Sequence, residues 1–593
     1  MAEYEYDGLT SNAFRYMVLL PGVSGDPLRC SLHTSHLDQA RFEAVSYVWG
    51  TDHRTHDIVC DGKVMKITSN LYKVLQRVRL PDTSRNIWAD SICINQKNLQ
   101  EKSRQVTIMG RIYRKAERVL IYMGSTGQEH GPEVLSLLQD VRDMINMGLA
   151  QVQKSLEAIK ISGYSDPETD IWDTFPHSEP NALVLRDPRW ASVCVLVEQE
   201  WFHRGWVVRE AGLAQEGVVI WGQTEFKWDD LMRALVWRHR RAFRTIAMPA
   251  EDRIRSHLEA YEARHQDTIC VFYQWGSYRA CSLLDYLHCA RALRLKDPRD
   301  RIYAFLDLAE DSIRELDVVP NYNDPPLKVY HDFAINYIRT IENVEILNYV
   351  KHDESSLKSC FMSWAPDWSK EEDDFAVVDG TTLKANGVMF DTVRCAFSVL
   401  QSGTTTSAVL YELWASIRNS ISESPYATPN LLEPFFDTLT ILGYVGELNA
   451  WHRDRKAYIN TFERLHTQNQ KTDGLSLTTD EAAKLESTTF HSLISSASSG
   501  KKLIVSERGY IGMAPAVAQK GDLCAIIFGC SSPCLLRTTG TANNHVYLGS
   551  STIPGKESCD LGENGIGFYS CFGVESSKDW VDWGAEEQSI YLV

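Results

Sequence analysis

Long hydrophobic runs are missing from this chain. No stretch reaches the roughly 18–20 consecutive apolar residues that a membrane-crossing helix needs. A basic, apolar leader is missing as well: the chain starts MAEYEYDGLTSN, acidic and polar, unlike a secretion signal. The expectation is an intracellular, cytoplasmic protein with no membrane span. Basic charge is also in deficit, with 61 Lys and Arg against 78 Asp and Glu and a formal net charge of −17. Long-range attraction to nucleic acid or to an anionic membrane would therefore have the wrong sign. One basic run, WRHRRAFR (237–244), stands against that balance, and such runs are ordinarily solvated helix faces.

Motifs of the common nucleotide and metal enzymes are absent too. There is no G-x-G-x-x-G after a strand, no phosphate-binding G-x-x-x-x-G-K-[ST], no H-E-x-x-H and no G-x-S-x-G. Gly124-Ser125-Thr126-Gly127 resembles a phosphate-cradling turn without its lysine. The 17 His show no ligand spacing, and Cys530 and Cys534 have three residues between them and no second pair nearby. No metal and no cofactor is expected. The 14 Cys are scattered, with Cys93, Cys194 and Cys524 in apolar segments, as reduced core thiols would be.

What is present is a folded, multidomain composition: 593 residues, 44% hydrophobic, 23% charged. That length exceeds one ordinary core, so two or three domains are expected. The most regular stretch is 42–124. FEAVSYVW (42–49) reads as a buried strand. DIVCDGKVMKI (57–67) reads as a hairpin turning at Asp61-Gly62. Thr68 or Ser69 can cap a helix whose Leu71, Val74, Leu75 and Val78 share a face, with Pro81 as its stop. NIWADSICI (86–94) reads as a second strand. A helix with Val106, Met109, Ile112 and Tyr113 at helical spacing follows, then a third strand, RVLIYMG (118–124). GVVIWG (217–222) is a fourth strand candidate. Alternating strands and helices predict an α/β fold with a mainly parallel sheet.

Outside this core the pattern changes. Residues 125–186 read as an insertion, helical over 131–160 and loop-like over 161–186. Helicity returns over 187–214 and again over the charged segment 227–265. These expectations place a first domain at 1–265 with its core at 42–222. A mostly helical middle region follows at 280–495, with a helix at 331–341 and a loop at 363–369. A β-rich domain, a small barrel or sandwich, is expected at 496–593.

Ligands of open parallel sheets bind at the carboxyl ends of the strands. Those ends carry Ser46, Tyr47, Val48, Trp49 and Gly50 after the first strand, Asp90 and Ser91 with Asn95 and Gln96 after the second, and Met123, Gly124 and Ser125 after the third. Aromatics, a carboxylate and glycines suit a ribose and a flat base; they equally suit two core aromatics and a capped turn. A second constellation is WFHRGWVVRE (201–210). On a helix, Trp206 and Glu210 share a face that continues into Leu213 and Ala214. A carboxylate among apolar groups has a raised pKa and can act as a general acid or base or as an electrostatic stabiliser. A salt bridge to Arg204 or Arg209 is the alternative.

These segments resemble the heterokaryon incompatibility (HET) family of fungal proteins. FEAVSYVWG (42–50), ITSNLYKVLQRVR (67–79), IWADSICINQ (87–96), EKSRQVTIMGRIYRKAERVLIYMG (101–124) and WFHRGWVVREAGLA (201–214) are similar to its successive blocks, in order. DPRDRIYAFLDLAED (297–311), NYNDPPLKVYHDFA (321–334), SWAPDWS (363–369) and RGYIGMAPAVAQKGDLCAIIFG (508–529) resemble the C-terminal region of its longer members. Arg209 departs from the pattern, where the family usually has Gln. The resemblance implies a remote relation to TIR domains and a TIR-like or flavodoxin-like N-terminal fold. Many TIR domains cleave NAD at the nicotinamide–ribose bond. By that resemblance, Glu210 is the catalytic residue. Ser46, Tyr47, Trp49, Gly50, Asp90 and Trp206 would hold the nucleotide, NAD or NADP, as substrate. It further implies a role in non-self recognition and cell death, a protein partner, and self-association on activation. The alternative is a non-enzymatic assembly module acting through protein contacts.

Overall fold

Hydrophobic patterning organises two cores in this chain. The structure, a computed structural model, describes residues 2–10, 13–50, 53–151, 184, 187–238, 283–308, 316, 318–341, 343–352, 357, 362–366, 368, 382–401, 405–426, 430–440, 448–468, 479–530, 532–541, 543–553 and 585–593. It divides into two compact units, residues 1–329 with 368–370 and residues 330–367 with 371–593.

The first unit is built on a nine-stranded sheet. Its strands are β1 (Ala13–Leu19), β2 (Arg29–His36), β3 (Glu43–Tyr47), β4 (Arg54–Cys60), β5 (Lys63–Thr68), β6 (Arg85–Trp88), β7 (Val119–Gly124), β8 (Gly217–Trp221) and β9 (Thr224–Lys227). Their order is β5-β4-β2-β1-β6-β3-β7-β8-β9. The four segments read as strands from sequence are adjacent and parallel, β6-β3-β7-β8, with Ala44 opposite Trp88, Val45 opposite Leu120 and Ile121 opposite Val219. Their apolar, β-branched runs are buried, as parallel strands covered on both faces require.

The sheet as a whole is mixed rather than mainly parallel. Antiparallel ladders join β1 to β2, β1 to β6, β4 to β5 and β8 to β9. The sequence hid β1 because Arg15 interrupts its apolar run; Arg15 is in fact buried, with a 2.6 Å ion pair to Glu101. A second correction concerns NIWADSICI. The strand stops at Trp88, and Asp90–Cys93 forms the one-turn helix α2 after α1 (Ser69–Val78). Asp90 Oδ1 accepts the Ser91 backbone N–H at 2.7 Å, a local bond that competes with the sheet ladder.

Other features follow their local chemistry. The β4–β5 hairpin turns at Asp61 and Gly62, with φ of 49° and 75°. Thr68 caps α1 by accepting the Leu71 N–H at 3.4 Å, and Leu71, Val74, Leu75 and Val78 are buried. Helix α3 (Leu99–Lys115) is capped by Asn98 and buries Val106, Met109, Ile112 and Tyr113. Then come α4 (Gly131–Gln151), α5 (Trp190–Val197), α6 (Trp206–Gly212) and α7 (Trp228–Trp237). The loop expected at 161–186, apart from Val184, and the helix expected over 239–265 lie outside the described residues.

The second unit carries a seven-stranded sheet: β10 (Leu383–Val399), β11 (Lys501–Ser506), β12 (Ile511–Pro515), β13 (Leu523–Ile527), β14 (Cys534–Thr538), β15 (Asn544–Ser550) and β16 (Glu587–Leu592). The order is β12-β11-β10-β13-β14-β15-β16, and β10 also pairs with β16, which closes β10-β13-β14-β15-β16 into a ring. The closing strand comes from a region whose sequence reads as mostly helical. Gly387 and register shifts at Met389/Asp391, Val393/Cys395 and Ala396/Val399 break the alternation that would have announced it. Helices Ser407–Ser420, Leu432–Thr440, Leu448–Gln468, Thr479–Glu486 and Thr489–Ser498 precede the remaining strands. Phe435, Phe436, Phe462 and Phe490 share one core with Val388, Leu503 and Leu535. Among the described residues, no helix is long and apolar enough to cross a membrane.

Candidate active site

The parallel register brings the carboxyl end of β3 beside α2 and α6. Adjacent side chains of a strand point to opposite faces, so Ser46 and Tyr47 meet different partners. The Ser46 hydroxyl donates a short hydrogen bond to Glu210 Oε2 on α6, and the Trp201 indole N–H donates to Ser46 Oγ at 2.8 Å. Tyr47 and Ser91 share a hydrogen bond of 2.6 Å between their hydroxyls. Two residues past Tyr47, the Trp49 indole N–H donates to both oxygens of Asp90, at 3.1 and 2.9 Å. Arg204 donates to the Tyr47 carbonyl and holds that strand end to the loop before α6.

Two carboxyls in this cluster titrate near neutrality. Glu210 is 2% exposed. Burial, as the largest cause, pushes its carboxyl up to about 7; the Asp90 charge raises it further, and Arg204, the Ser46 hydroxyl and Arg209 oppose. Asp90 is half-buried, and loss of water around it pushes it up to about 6, with Arg204 and the Ser91 and Trp49 donors opposing. Burial also raises the Tyr47 and Tyr113 phenols well above their ordinary range, so both stay neutral donors. Glu210 Oε2 takes the Ser46 hydroxyl. Such a group can exchange a proton at neutral pH or, ionised, oppose a positive charge forming beside it.

The fold thus gathers Ser46, Tyr47, Trp49, Asp90 and Glu210. Gly50 follows at the exposed edge, with φ of 71°; a Cβ there would lie 2.8 Å from Asn70 Nδ2. Trp206 goes elsewhere. Its indole N–H donates to Asp300 Oδ2 at 3.0 Å, and the indole in the Glu210 network is that of Trp201. Spacing on a helix fixes a face, not a partner, and Asp300 lies 94 residues downstream. The salt bridge from Glu210 to Arg204 or Arg209 that the sequence left open is not among the ion pairs of the described residues; Arg209 pairs instead with Asp307. The sequence placed Ser91 at the second strand end and Trp201 in the second constellation, but not the bonds they make here, to Tyr47 and to Ser46. Trp201 sits inside the WFHRGW block, and its position five residues before Trp206 gave no sign of a bond to β3. Among the described residues, no cluster of His, Cys, Asp and Glu could hold a metal ion.

Residues 42–210 match the family model described as heterokaryon incompatibility protein (HET), so the match closes on Glu210. Residues 437–563 match the Het-6 beta-barrel domain. Heterokaryon incompatibility protein 6, OR allele, of Neurospora crassa is 29% identical over 225 residues, covering 33% of this chain and 31% of that protein. The chain is thus similar to heterokaryon incompatibility proteins over these segments. The chain spans about a third of the length of this curated relative. No solved structure matches it. The HET match takes in β3, α2, α3 and α6 as far as Glu210, and so every residue of the cluster around it.

Proposed function

We propose that the first unit hydrolyses NAD or NADP at the nicotinamide–ribose bond, as an effector of fungal non-self recognition and cell death. The observation that carries this is Glu210: a buried carboxylate beside the carboxyl ends of parallel strands, pushed up to about 7, with one oxygen fixed by the Ser46 hydroxyl. In the reaction the C1′–N bond breaks and its electron pair leaves with nicotinamide. An oxocarbenium-like ribose results, and water adds at C1′ with loss of a proton. Ionised Glu210 beside the ribose stabilises that positive charge and orients the sugar hydroxyls. Trp49, half-buried beside Asp90, is the side chain placed to stack a base. Tyr47 is buried too deeply to do so and acts with Ser91 as a wall. The remote TIR relation is the premise of this chemistry. The reaction takes place in the cytoplasm, after a protein partner of non-self origin drives self-association.

The test is direct. Full-length protein mixed with NAD releases nicotinamide, and Glu210→Gln abolishes release, at least a hundredfold by the usual scale of such electrostatic contributions, with an unchanged circular dichroism spectrum. NAD left intact by wild-type protein under conditions where it self-associates overturns the reading.

A second reading draws on the same residue. At 2% exposure Glu210 touches little solvent, and its bond to Ser46 ties α6 to β3 as a structural pin would. On this reading the HET domain is an assembly module, and Glu210→Gln leaves cell death intact while loss of self-association removes it.

A further inference from the structure

Helix α6 is seven residues long, too short to hold its own shape in water. Beyond the Ser46 bond to Glu210, much of its hold comes from outside the HET match, from residues 294–307. Ahead of the helix, the Arg294 N–H donates to the His203 carbonyl at 2.6 Å and the Gly205 N–H donates to the Arg294 carbonyl at 3.0 Å. A Cβ on Gly205 would lie 2.6 Å from Leu295, so the two segments touch where only glycine fits. In its first turn Trp206 donates to Asp300, and the Tyr322 hydroxyl fixes the other Asp300 oxygen at 2.6 Å. In its second turn Arg209, 1% exposed, pairs with Asp307 and donates to the carbonyls of Val106 at 3.0 Å and Tyr303 at 3.2 Å. Gly110 on α3 leaves the room for Asp307: a Cβ there would stand 2.0 Å from its Oδ2.

We propose that the segment Arg294–Asp307 is a clamp that orients α6 and, through the Arg209–Asp307 pair, sets the charge felt by Glu210. Asp300 and Asp307 are positioning residues: Asp300 bonds Trp206, one turn before Glu210, and Asp307 bonds its neighbour Arg209. The inference rests on the proposed role of Glu210 for its consequence in catalysis. Glu210 is faced by Ser46 and Tyr47 from β3, Asp90 from α2, Tyr113 from α3, Arg204 from the loop and Arg209 from α6. Of the cations, only Arg209 is held to a carboxylate of the clamp. Asp307 offsets the Arg209 charge, so losing the Asp307 charge exposes Glu210 to more of it and favours ionised Glu210.

The experiment uses the full chain as wild type, as Asp307→Asn and as Arg209→Gln with Asp307→Asn. Two readouts are taken: the infrared carboxyl band that disappears in Glu210→Gln, titrated with pH, and the pH profile of nicotinamide release from NAD. Asp307→Asn moves both midpoints acidward by about one pH unit, the usual size of an added opposite charge. The double variant, with neither charge, moves them to the alkaline side of wild type. Midpoints that stay put in both folded variants overturn the clamp, even where activity falls, because a merely structural role lowers the rate without moving a titration. Should Asp307→Asn not fold, the double variant decides by the same criterion. Infrared midpoints that move while no protein releases nicotinamide support the clamp and sink the NAD reading.

Discussion

Glu210 makes opposite demands on stability and on chemistry, and pH separates them. Its carboxyl has an ordinary value of 4.5 and sits at about 7 in the fold, chiefly through burial. A group whose folded value is raised contributes stability that is full below the unfolded value and is lost as pH climbs through the folded one. Between about pH 4.5 and 7 the fold therefore loses stability, on the order of 3 kcal/mol once Glu210 is ionised. A neutral glutamine escapes this loss. Glu210→Gln is expected to melt at a higher temperature than wild type at pH 8 and to show no such gain at pH 5. Nicotinamide release runs the other way: it needs the ionised form, so kcat rises with pH through about 7. Melting curves at the two pH values check the first half; a Glu210→Gln protein no more stable at pH 8 than at pH 5, relative to wild type, would mean that burial does not strain this carboxylate.

Elements show which parts of the fold were legible in the sequence. The parallel quartet β6-β3-β7-β8 was, because buried β-branched runs and helical spacing are local signals. So were the Asp61-Gly62 hairpin and the Thr68 cap. Strand β1 was not, since Arg15 reads as exposed until its partner Glu101, 86 residues away, is known. Strand β10 was hidden by its bulges, and the strand end at Trp88 by a local bond from Asp90. In the site, Ser46, Tyr47, Trp49, Asp90 and Glu210 could be nominated from strand ends and one helix. The departure of Trp206 to Asp300, and the use of Trp201 in its place, depend on contacts that no local pattern encodes. Gly110 makes the same point in a testable form. A glycine inside α3 costs about 1 kcal/mol relative to alanine, so propensity alone says Gly110→Ala stabilises. The added Cβ would stand 2.0 Å from Asp307 Oδ2 and 2.7 Å from its Cβ, which forces out the partner of a buried arginine. Overpacking of this kind costs about 1–3 kcal/mol, so Gly110→Ala is expected to lower the melting temperature. A rise would show that Asp307 moves aside freely.

At the scale of the whole molecule, the two family matches fall in different units. The HET match at 42–210 lies in the first, and the Het-6 barrel match at 437–563 lies in the second. Each unit has a sheet of its own: nine strands in one, seven in the other with five of them closed into a ring. Separate cores of this size do not unfold as one two-state system. Heating is therefore expected to give more than one calorimetric transition. Glu210 supplies the label that tells them apart, because it lies wholly inside the first unit. At pH 8, Glu210→Gln should raise one transition by several degrees, at roughly 2–4 °C per kcal/mol for domains of 150–250 residues, and leave the other where it was. A single transition that shifts as a whole would mean that the two units melt as one cooperative body, and the energetic division between the HET and barrel portions would fall with it.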